Sequence, residues 1–221
     1  INNTVQLEQL ITTTLLEYNP QHPEKSVTHL VQIYKQLQQL DEKDKNALYW
    51  KKIKLKECEA LLLSCAGLWL EAYGKEFNAV PGQEIIIDAQ IIARNPSEVV
   101  LNSISFLNQS ELNIDKELTF NKLEKFERKE TLPKTTSFSN PYWLNEPHPI
   151  GMYSVTNPTL IGSPENASEQ TVVFHLTIED LDLAVERALT FKSTDPVKGE
   201  VYRPFEVLPP ATINLSDNVL V

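Results

Sequence analysis

The spacing of the apolar residues changes near residue 78, and this change constrains the fold more than any other feature of the sequence. Before it, apolar residues recur every three to four positions, which is the spacing of one helix face. Beyond it they alternate with polar residues, so that Ile85 and Ile87 fall on one side and Asp88 and Gln90 on the other. The pattern predicts an α+β protein, with a helical segment at residues 1–77 and a β-region at residues 78–221.

Three helices are predicted in the first segment. The first covers residues 4–18, and the second starts near Pro23, a residue that suits the first turn of a helix. The third is expected to run from a cap at residues 41–44 to Tyr73, with Gly74 as its stop. Its apolar residues recur every seven positions, at Leu48, Leu55, Leu62 and Trp69. This recurrence lasts only about three heptads, which favours internal packing of the three helices over a coiled-coil seam for a partner.

The second segment is predicted to form an antiparallel β-sandwich. Strands are expected at residues 85–94, 98–107, 171–178 and 183–191. Arg187 falls on the apolar side of the last of these, which predicts a bulge or an edge position there. Residues 108–137 carry charges of both signs, so we expect a solvated surface strand or loop.

The charge balance argues against two classes of partner. There are 30 acidic and 20 basic residues, which gives a net charge of −10. Binding to phosphate backbones requires a clustered basic face, and an anionic membrane surface attracts basic segments, so neither partner is expected. The longest apolar run, residues 60–70, is about half of the roughly 20 residues that span a bilayer. We therefore predict no nucleic acid partner and no membrane insertion.

Cysteine and histidine are too sparse and too dispersed for a metal site. Cys58 and Cys65 lie about 10 Å apart along the predicted third helix, too far for a disulfide, so they are expected to be buried and unpaired. Four histidines occur, at His22, His29, His148 and His175. None of them shows the spacing of zinc ligands, and we predict no metal or cofactor in this segment.

The sequence contains no complete set of catalytic residues that spacing alone reveals. A Ser–His–Asp arrangement stays open, although no Gly-x-Ser-x-Gly elbow is present. The carboxylates of Glu179, Asp180 and Asp182 are better explained as turn residues than as a glycosidase acid and base. No catalytic residue is predicted.

Residues 138–155 are unusually rich in rings. They include three prolines, Trp143 and Met152, the sole methionine. Such a stretch cannot be a regular helix, and it predicts an ordered loop that carries Tyr142-Trp143-Leu144 into a core or onto a partner. Four aromatic residues are candidates either for a sugar-stacking face or for core anchors: Tyr142, Trp143, Tyr153 and Tyr202.

Four Asn-x-Ser/Thr patterns begin at Asn2, Asn108, Asn166 and Asn214. They would accept glycans only if the source organism glycosylates this chain, and as three-residue patterns they are weak.

A set of motifs in the second half resembles a known family. They occur in this order: Asn140-Pro-Tyr-Trp-Leu144, Gly151-Met-Tyr-Ser-Val155, Leu160-Ile-Gly-Ser-Pro-Glu165, Thr194-Asp-Pro-Val-Lys-Gly-Glu-Val-Tyr-Arg-Pro204 and Pro209-Pro210. The set is similar to the non-catalytic middle region of large bacterial GlcNAc-phosphatidylinositol de-N-acetylase-like (LmbE-like, PIG-L-like) proteins. The resemblance covers about residues 45–221, whereas the first 40 residues match only as generic helices.

The resemblance implies an accessory role. In such proteins an N-terminal zinc-dependent deacetylase domain is followed by helices and an immunoglobulin-like β-region. The family's His-Pro-Asp-Asp motif and distal His-x-x-His ligands do not occur in this sequence, so no catalytic or zinc-binding residue is carried over. The segment itself is thus expected to be no enzyme, with zinc belonging to a catalytic domain elsewhere in the parent chain.

Partners and location follow from the same resemblance. The expected partners are the catalytic and other domains of the parent chain, and a periplasmic or extracellular location is favoured. The sequence starts without methionine and stops in an apolar run, which predicts that the native chain extends further. Two alternatives are a carbohydrate-binding module and, third, an independent hydrolase.

Overall fold

The structure, a computed structural model, describes residues 4–40, 44–107 and 110–213. The helices are α1 (Thr4–Glu17), α2 (Val27–Gln39, after a 3-10 turn at Pro23–Ser26) and α3 (Lys45–Cys65). The strands are β1 (Leu68–Gly74), β2 (Asn78–Ala79), β3 (Glu84–Ala93), β4 (Val99–Ser105), β5 (Glu111–Glu117), β6 (Glu124–Thr131), β7 (Thr171–Ile178), β8 (Leu181–Asp195), β9 (Gly199–Pro204) and β10 (Glu206–Val207). The α+β class and the three predicted helices are confirmed.

The third helix is shorter than predicted, and the residues predicted as its last turns form a strand instead. The helix ends at Cys65, and residues 68–74 form β1 rather than its last two turns. The reason is Gly67, whose left-handed φ of +65° stops the helix, with its N–H bonded 3.1 Å from the carbonyl oxygen of Ser64. Trp69 therefore does not continue the heptad line, and the predicted helical segment 1–77 contains a strand of the sheet.

Eight strands form one continuous, mostly antiparallel sheet that curves into a half-barrel. Its order is β5-β4-β7-β8-β1-β3-β6, with β9 also paired to β8. One pairing in it, β1 with β8, is parallel. β2 and β10 form a separate two-stranded pair. Among the described residues, the hydrogen bonds do not form the two separate facing sheets of an immunoglobulin-like sandwich, because β8 pairs with strands of both halves.

β8 joins the two halves by changing partners along its length. Residues 181–188 pair with β7, whereas Leu189–Phe191 pair with β1 and residues 190–195 pair with β9. Arg187 lies at this change and is only half-buried, and its Nε donates to the carbonyl oxygen of Leu70 at 3.3 Å. The irregularity predicted at Arg187 is therefore a change of neighbouring strand.

The open side of the half-barrel is bridged by side chains. β5 and β6 face each other there, and Lys116 Nζ lies 2.7 Å from a carboxylate oxygen of Glu124. The hydroxyl of Ser110, just before β5, donates to the buried carboxylate of Glu130 on β6. Charged side chains along two sheet edges oppose pairing with a further strand. The charged run around residues 124–130 is thus a partly solvated surface strand, as predicted.

One hydrophobic core joins the helices to the inner face of the sheet. Val31, Leu62, Ile87, Phe174 and Leu189 are among its fully buried members. Cys58 and Cys65 are buried and free, as predicted, and burial raises the pKa of Cys58 to about 11. Among the described helices, none combines the length and the apolar character that crossing a bilayer requires.

The turn between α3 and β1 generates a prediction for glycine replacement. Gly67 and Gly199 both have left-handed backbones, with φ of +65° and +79°, so alanine costs about 1–2 kcal/mol at either position. A Cβ at Gly67 would also lie 2.6 Å from the backbone nitrogen of Asn95, whereas nothing lies within 4 Å at Gly199. Gly67→Ala should therefore reduce the free energy of unfolding by about 1–3 kcal/mol more than Gly199→Ala does.

Urea unfolding of the two variants measures this difference. Equal destabilisation would show that the close approach of the α3–β1 turn to Asn95 does not constrain the fold.

Candidate functional site

The outer face of the sheet carries a compact group of aromatic and charged side chains, which we call the Lys192 cluster. Its members are Trp69, Glu71 and Tyr73 on β1, Lys192 on β8, and Glu200 and Tyr202 on β9. Side chains alternate along a strand, so the burial of Leu68, Leu70 and Ala72 in the core turns the ring residues of β1 outward.

The ammonium group of Lys192 is the centre of this cluster. Its Nζ lies 3.1 Å from Glu71 and 3.0 Å from Glu200. It also lies between 5.5 and 5.8 Å from the centroids of three rings, those of Trp69, Tyr73 and Tyr202. These distances suit cation–π attraction on three sides and ion pairing on two.

The electrostatics of the cluster keep Lys192 charged. Burial by itself would lower the pKa of Lys192, but hydrogen bonds to Glu200, Glu71 and Tyr202 outweigh it and raise the pKa. The neighbouring Tyr73 accepts a 2.6 Å hydrogen bond from Gln90, and burial followed by the charge of Asp88 raises its pKa. The cluster thus offers hydroxyl, carboxylate and ring groups on one face, held around a fixed cation.

The four aromatic residues singled out from the sequence are not brought together. Tyr202 belongs to the Lys192 cluster and is 48% exposed. Tyr142 and Trp143 lie in a 3-10 turn on the surface, where they contact each other edge to face at 4.9 Å. Tyr153 is 58% exposed and contacts His148. None of the four is a buried core residue, and glycan binding by any of them stays a prediction.

The sequence reasoning missed Trp69, Glu71, Tyr73 and Lys192. The first three were assigned to a helix, although a period-two signal was present in residues 68–73, where apolar and larger polar or aromatic residues alternate directly after Gly67. Recognising that glycine as a helix stop would have revealed the strand. Lys192 could not be placed from sequence, because its partners on β1 lie about 120 positions away in the chain.

A second feature is the long connection between β6 and β7, residues 132–170. Polar contacts order it from within. The side chain of Asn166 accepts from the N–H of Tyr142 at 2.9 Å and donates to the carbonyl oxygen of Asn140. The hydroxyl of Tyr142 accepts from the N–H of Gly162 at 3.3 Å. The predicted ordered loop is present, and the Asn166 amide is occupied in closing it.

Of the Asn-x-Ser/Thr patterns, only the one at Asn166 is within the described residues. Asn2, Asn108 and Asn214 lie outside them.

A surface groove of about 670 Å³ brings Ser105 and His175 together. Ser105 Oγ is 2.9 Å from His175 Nε2. However, Ser105 pairs with strands on both sides, and the next backbone N–H, of Phe106, donates to the carbonyl oxygen of Ser110. These N–H groups serve the sheet rather than a developing oxyanion. We interpret the pair as a cross-strand contact.

The histidines and acids do not converge on a metal centre in the part of the chain that the structure describes. His22 pairs with Glu24, and His29 lies near Glu17. His148 contacts Tyr153. The zinc site of the resembled family is therefore not matched by the residues described.

Comparison with known proteins identifies no family. No family model and no curated protein matches the chain. Among solved structures, it is similar to the Pseudomonas fluorescens alkylpurine DNA glycosylase AlkC bound to DNA containing an abasic site analog, with 10% identity and a TM-score of 0.27. The match covers 78% of this chain and 48% of that one, so this chain spans about half the length of that protein. A TM-score this low supports no argument about fold or function.

The Lys192 cluster generates a prediction with a matched control. Lys192→Met leaves the carboxylate of Glu71, which is only 11% exposed, without its cation. We expect a loss of about 2 kcal/mol at pH 7. Lys129→Met removes an exposed lysine whose Nζ lies 3.5 Å from Glu84, and it should change stability by less than about 0.5 kcal/mol.

The pH dependence of stability provides a second measurement. The pKa of Lys192 is raised in the folded state, so its contribution is complete below the unfolded value of about 10.4 and is lost as the pH rises through the folded value. The stability difference between wild type and Lys192→Met should therefore be constant from pH 7 to 10 and shrink above that. A difference that is unchanged at pH 11 to 12 would contradict the role of the charge.

Proposed function

We propose that this chain is a non-catalytic accessory module of a larger, LmbE-like zinc-dependent de-N-acetylase, and that it positions the catalytic domain or its partners. The ordered set of sequence motifs is the first support. The second is where those motifs lie. Four of the five motifs fall in the long connection between β6 and β7 or in the β8–β9 hairpin, and the fifth, Pro209-Pro210, follows β10. Both the connection and the hairpin expose apolar side chains such as Ile150, Met152 and Val197.

The observation that most strongly supports an accessory role is this exposed apolar surface on an internally ordered loop. Exposed apolar residues that cluster on one segment are typical of surfaces that meet another protein or domain. Exposed loops on a rigid scaffold are also where binding residues concentrate. An immunoglobulin-like relationship of the β-region is also part of this proposal; the family resemblance supports it, whereas the single continuous sheet does not.

Acetate release from an N-acetylglucosaminyl substrate tests the proposed function. In the full-length gene product we expect zinc-dependent release that chelation abolishes, and a His-Pro-Asp-Asp motif outside these residues. The 221-residue chain alone should release no acetate, with or without zinc. Zinc-dependent release by this chain alone, or a full-length product without that motif, would overturn the proposal.

A second candidate function, carbohydrate binding, is favoured by the Lys192 cluster. Tyr202 offers a half-exposed ring beside the carboxylates of Glu71 and Glu200. A sugar can bind to such a combination by stacking on the aromatic ring while its hydroxyl groups form hydrogen bonds with the polar neighbours. The ring of Trp69 is less available, because Lys192 and Arg94 lie over it at 5.6 and 6.0 Å.

Calorimetric titration with N-acetylglucosamine oligomers tests this candidate. If the cluster binds them, Tyr202→Ala should weaken the association at least about tenfold, the equivalent of 1.4 kcal/mol. Tyr49→Ala removes a 59% exposed ring on α3 and should leave it unchanged. If the wild type shows no heat of binding, carbohydrate binding is rejected, and the proposed accessory role is unaffected.

A further inference from the structure

The middle of the long connection between β6 and β7 forms a loop whose shape is fixed by polar contacts. The carboxylate of Glu146 accepts two hydrogen bonds from Thr156, one from its N–H and one from its hydroxyl, both at 2.8 Å. These contacts close residues 147–155 into a small loop, which we call the apolar tip. Across it, the rings of His148 and Tyr153 contact each other at 5.1 Å. The chain turns at Gly151, whose φ is +84°.

The apolar tip presents large apolar side chains to solvent. Ile150 is as exposed as in an extended chain, at 106%, and Met152 and Tyr153 are 68% and 58% exposed. Removing such side chains from water is the main favourable contribution to association between proteins. Methionine also adapts its shape to irregular pockets. Because the two hydrogen bonds between Glu146 and Thr156 already order the backbone of the tip, little conformational entropy remains to be lost on binding.

The charges around the apolar tip restrict what it can meet. The connection contains one lysine, Lys134 at its start, and three acidic residues, Glu146, Glu165 and Glu169, and no lysine or arginine occurs from residue 135 to residue 186. Anionic lipid attracts basic segments, so a bilayer surface does not fit. A second copy of a chain with a net charge of −10 would bring like charges together. A protein surface with an apolar pocket and a basic rim fits both properties.

We propose that the apolar tip docks into an apolar, basic-rimmed pocket on another domain of the same parent chain, with Ile150 and Met152 as the inserted side chains. This inference rests on the proposed accessory function for the identity of the partner. It does not rest on that partner being a deacetylase. Pre-organised contacts of this kind hold one domain at a fixed angle to another.

Amide hydrogen exchange on the full-length gene product tests the docking. Residues 147–155 should exchange about tenfold more slowly in the wild type than in Ile150→Glu, which corresponds to about 1.4 kcal/mol of docking free energy. The same variant should unprotect a second segment in another domain. Because Ile150 is fully exposed, the substitution leaves the core of this chain intact.

Leu16→Glu is the matched control, since Leu16 is 82% exposed on α1, outside the connection and the β8–β9 hairpin. It should leave the exchange of residues 147–155 unchanged. Raising the salt concentration should reduce the protection in the wild type, because screening weakens the pairing of acidic groups with a basic rim.

Three results would overturn the docking. One is equal exchange of the tip in wild type and Ile150→Glu. Another is retention of the wild type, but not of Ile150→Glu, by vesicles of phosphatidylcholine and phosphatidylglycerol. The third is a dimer in sedimentation that Ile150→Glu dissociates. These results are independent of acetate release, so failure of the docking and failure of the proposed function can be told apart.

Discussion

Backbone hydrogen bonding along β8 is the constraint on which the rest of the sheet depends. Buried N–H and C=O groups must be paired, and this one strand of 15 residues pairs with β7 in its first half and with β1 and β9 in its second. The change of partners forces the sheet to curve, which brings the inner faces of both halves against one core. Arg187 lies where the ladder changes, and the carboxylate of Glu59 on α3 interacts with its charge. Burial lowers the pKa of Arg187 and raises that of Glu59, and the opposite charge of each residue counteracts the shift of the other.

The turn at Gly67 connects the helical layer to this sheet. The side-chain amide of Asn95 donates to the carbonyl oxygen of Cys65, the last residue of α3, at 2.8 Å, and the carbonyl oxygen of Gly67 accepts from the N–H of Arg94. The end of the helix is thereby satisfied by the β3–β4 turn, as helix termini require. β1 then lies next to β3 and β8, in the middle of the sheet. The helices and the strands consequently share one core, and the apolar residues of α3 complete it.

Polar and apolar side chains are arranged differently in two parts of the outer surface. On the sheet face, polar and aromatic groups of the Lys192 cluster satisfy one another, and the charge of Lys192 is neutralised by two carboxylates. In the long connection, polar groups are used to close the backbone, while apolar side chains are left outside. The first arrangement binds strands together and offers hydroxyl-bonding groups beside a ring. The second leaves unsatisfied apolar surface, which is why the proposed docking is assigned to it rather than to the sheet face.

The sequence by itself determined the α+β class, the three helices, the strands at residues 84–93, 99–105 and 171–178, and the ordered character of the proline-rich connection. These follow from local spacing of apolar residues and from backbone restrictions at proline and glycine, which act within a few positions. The end of α3 was predicted wrongly although Gly67 marks it in the sequence, because the heptad pattern continues beyond this glycine to Trp69. Nor did the sequence predict the path of β8 or the neighbours of Lys192. Those depend on which distant strands lie side by side, and only the tertiary structure decided them, because the apolar pattern of a strand specifies the face that is buried and not the strand that it pairs with.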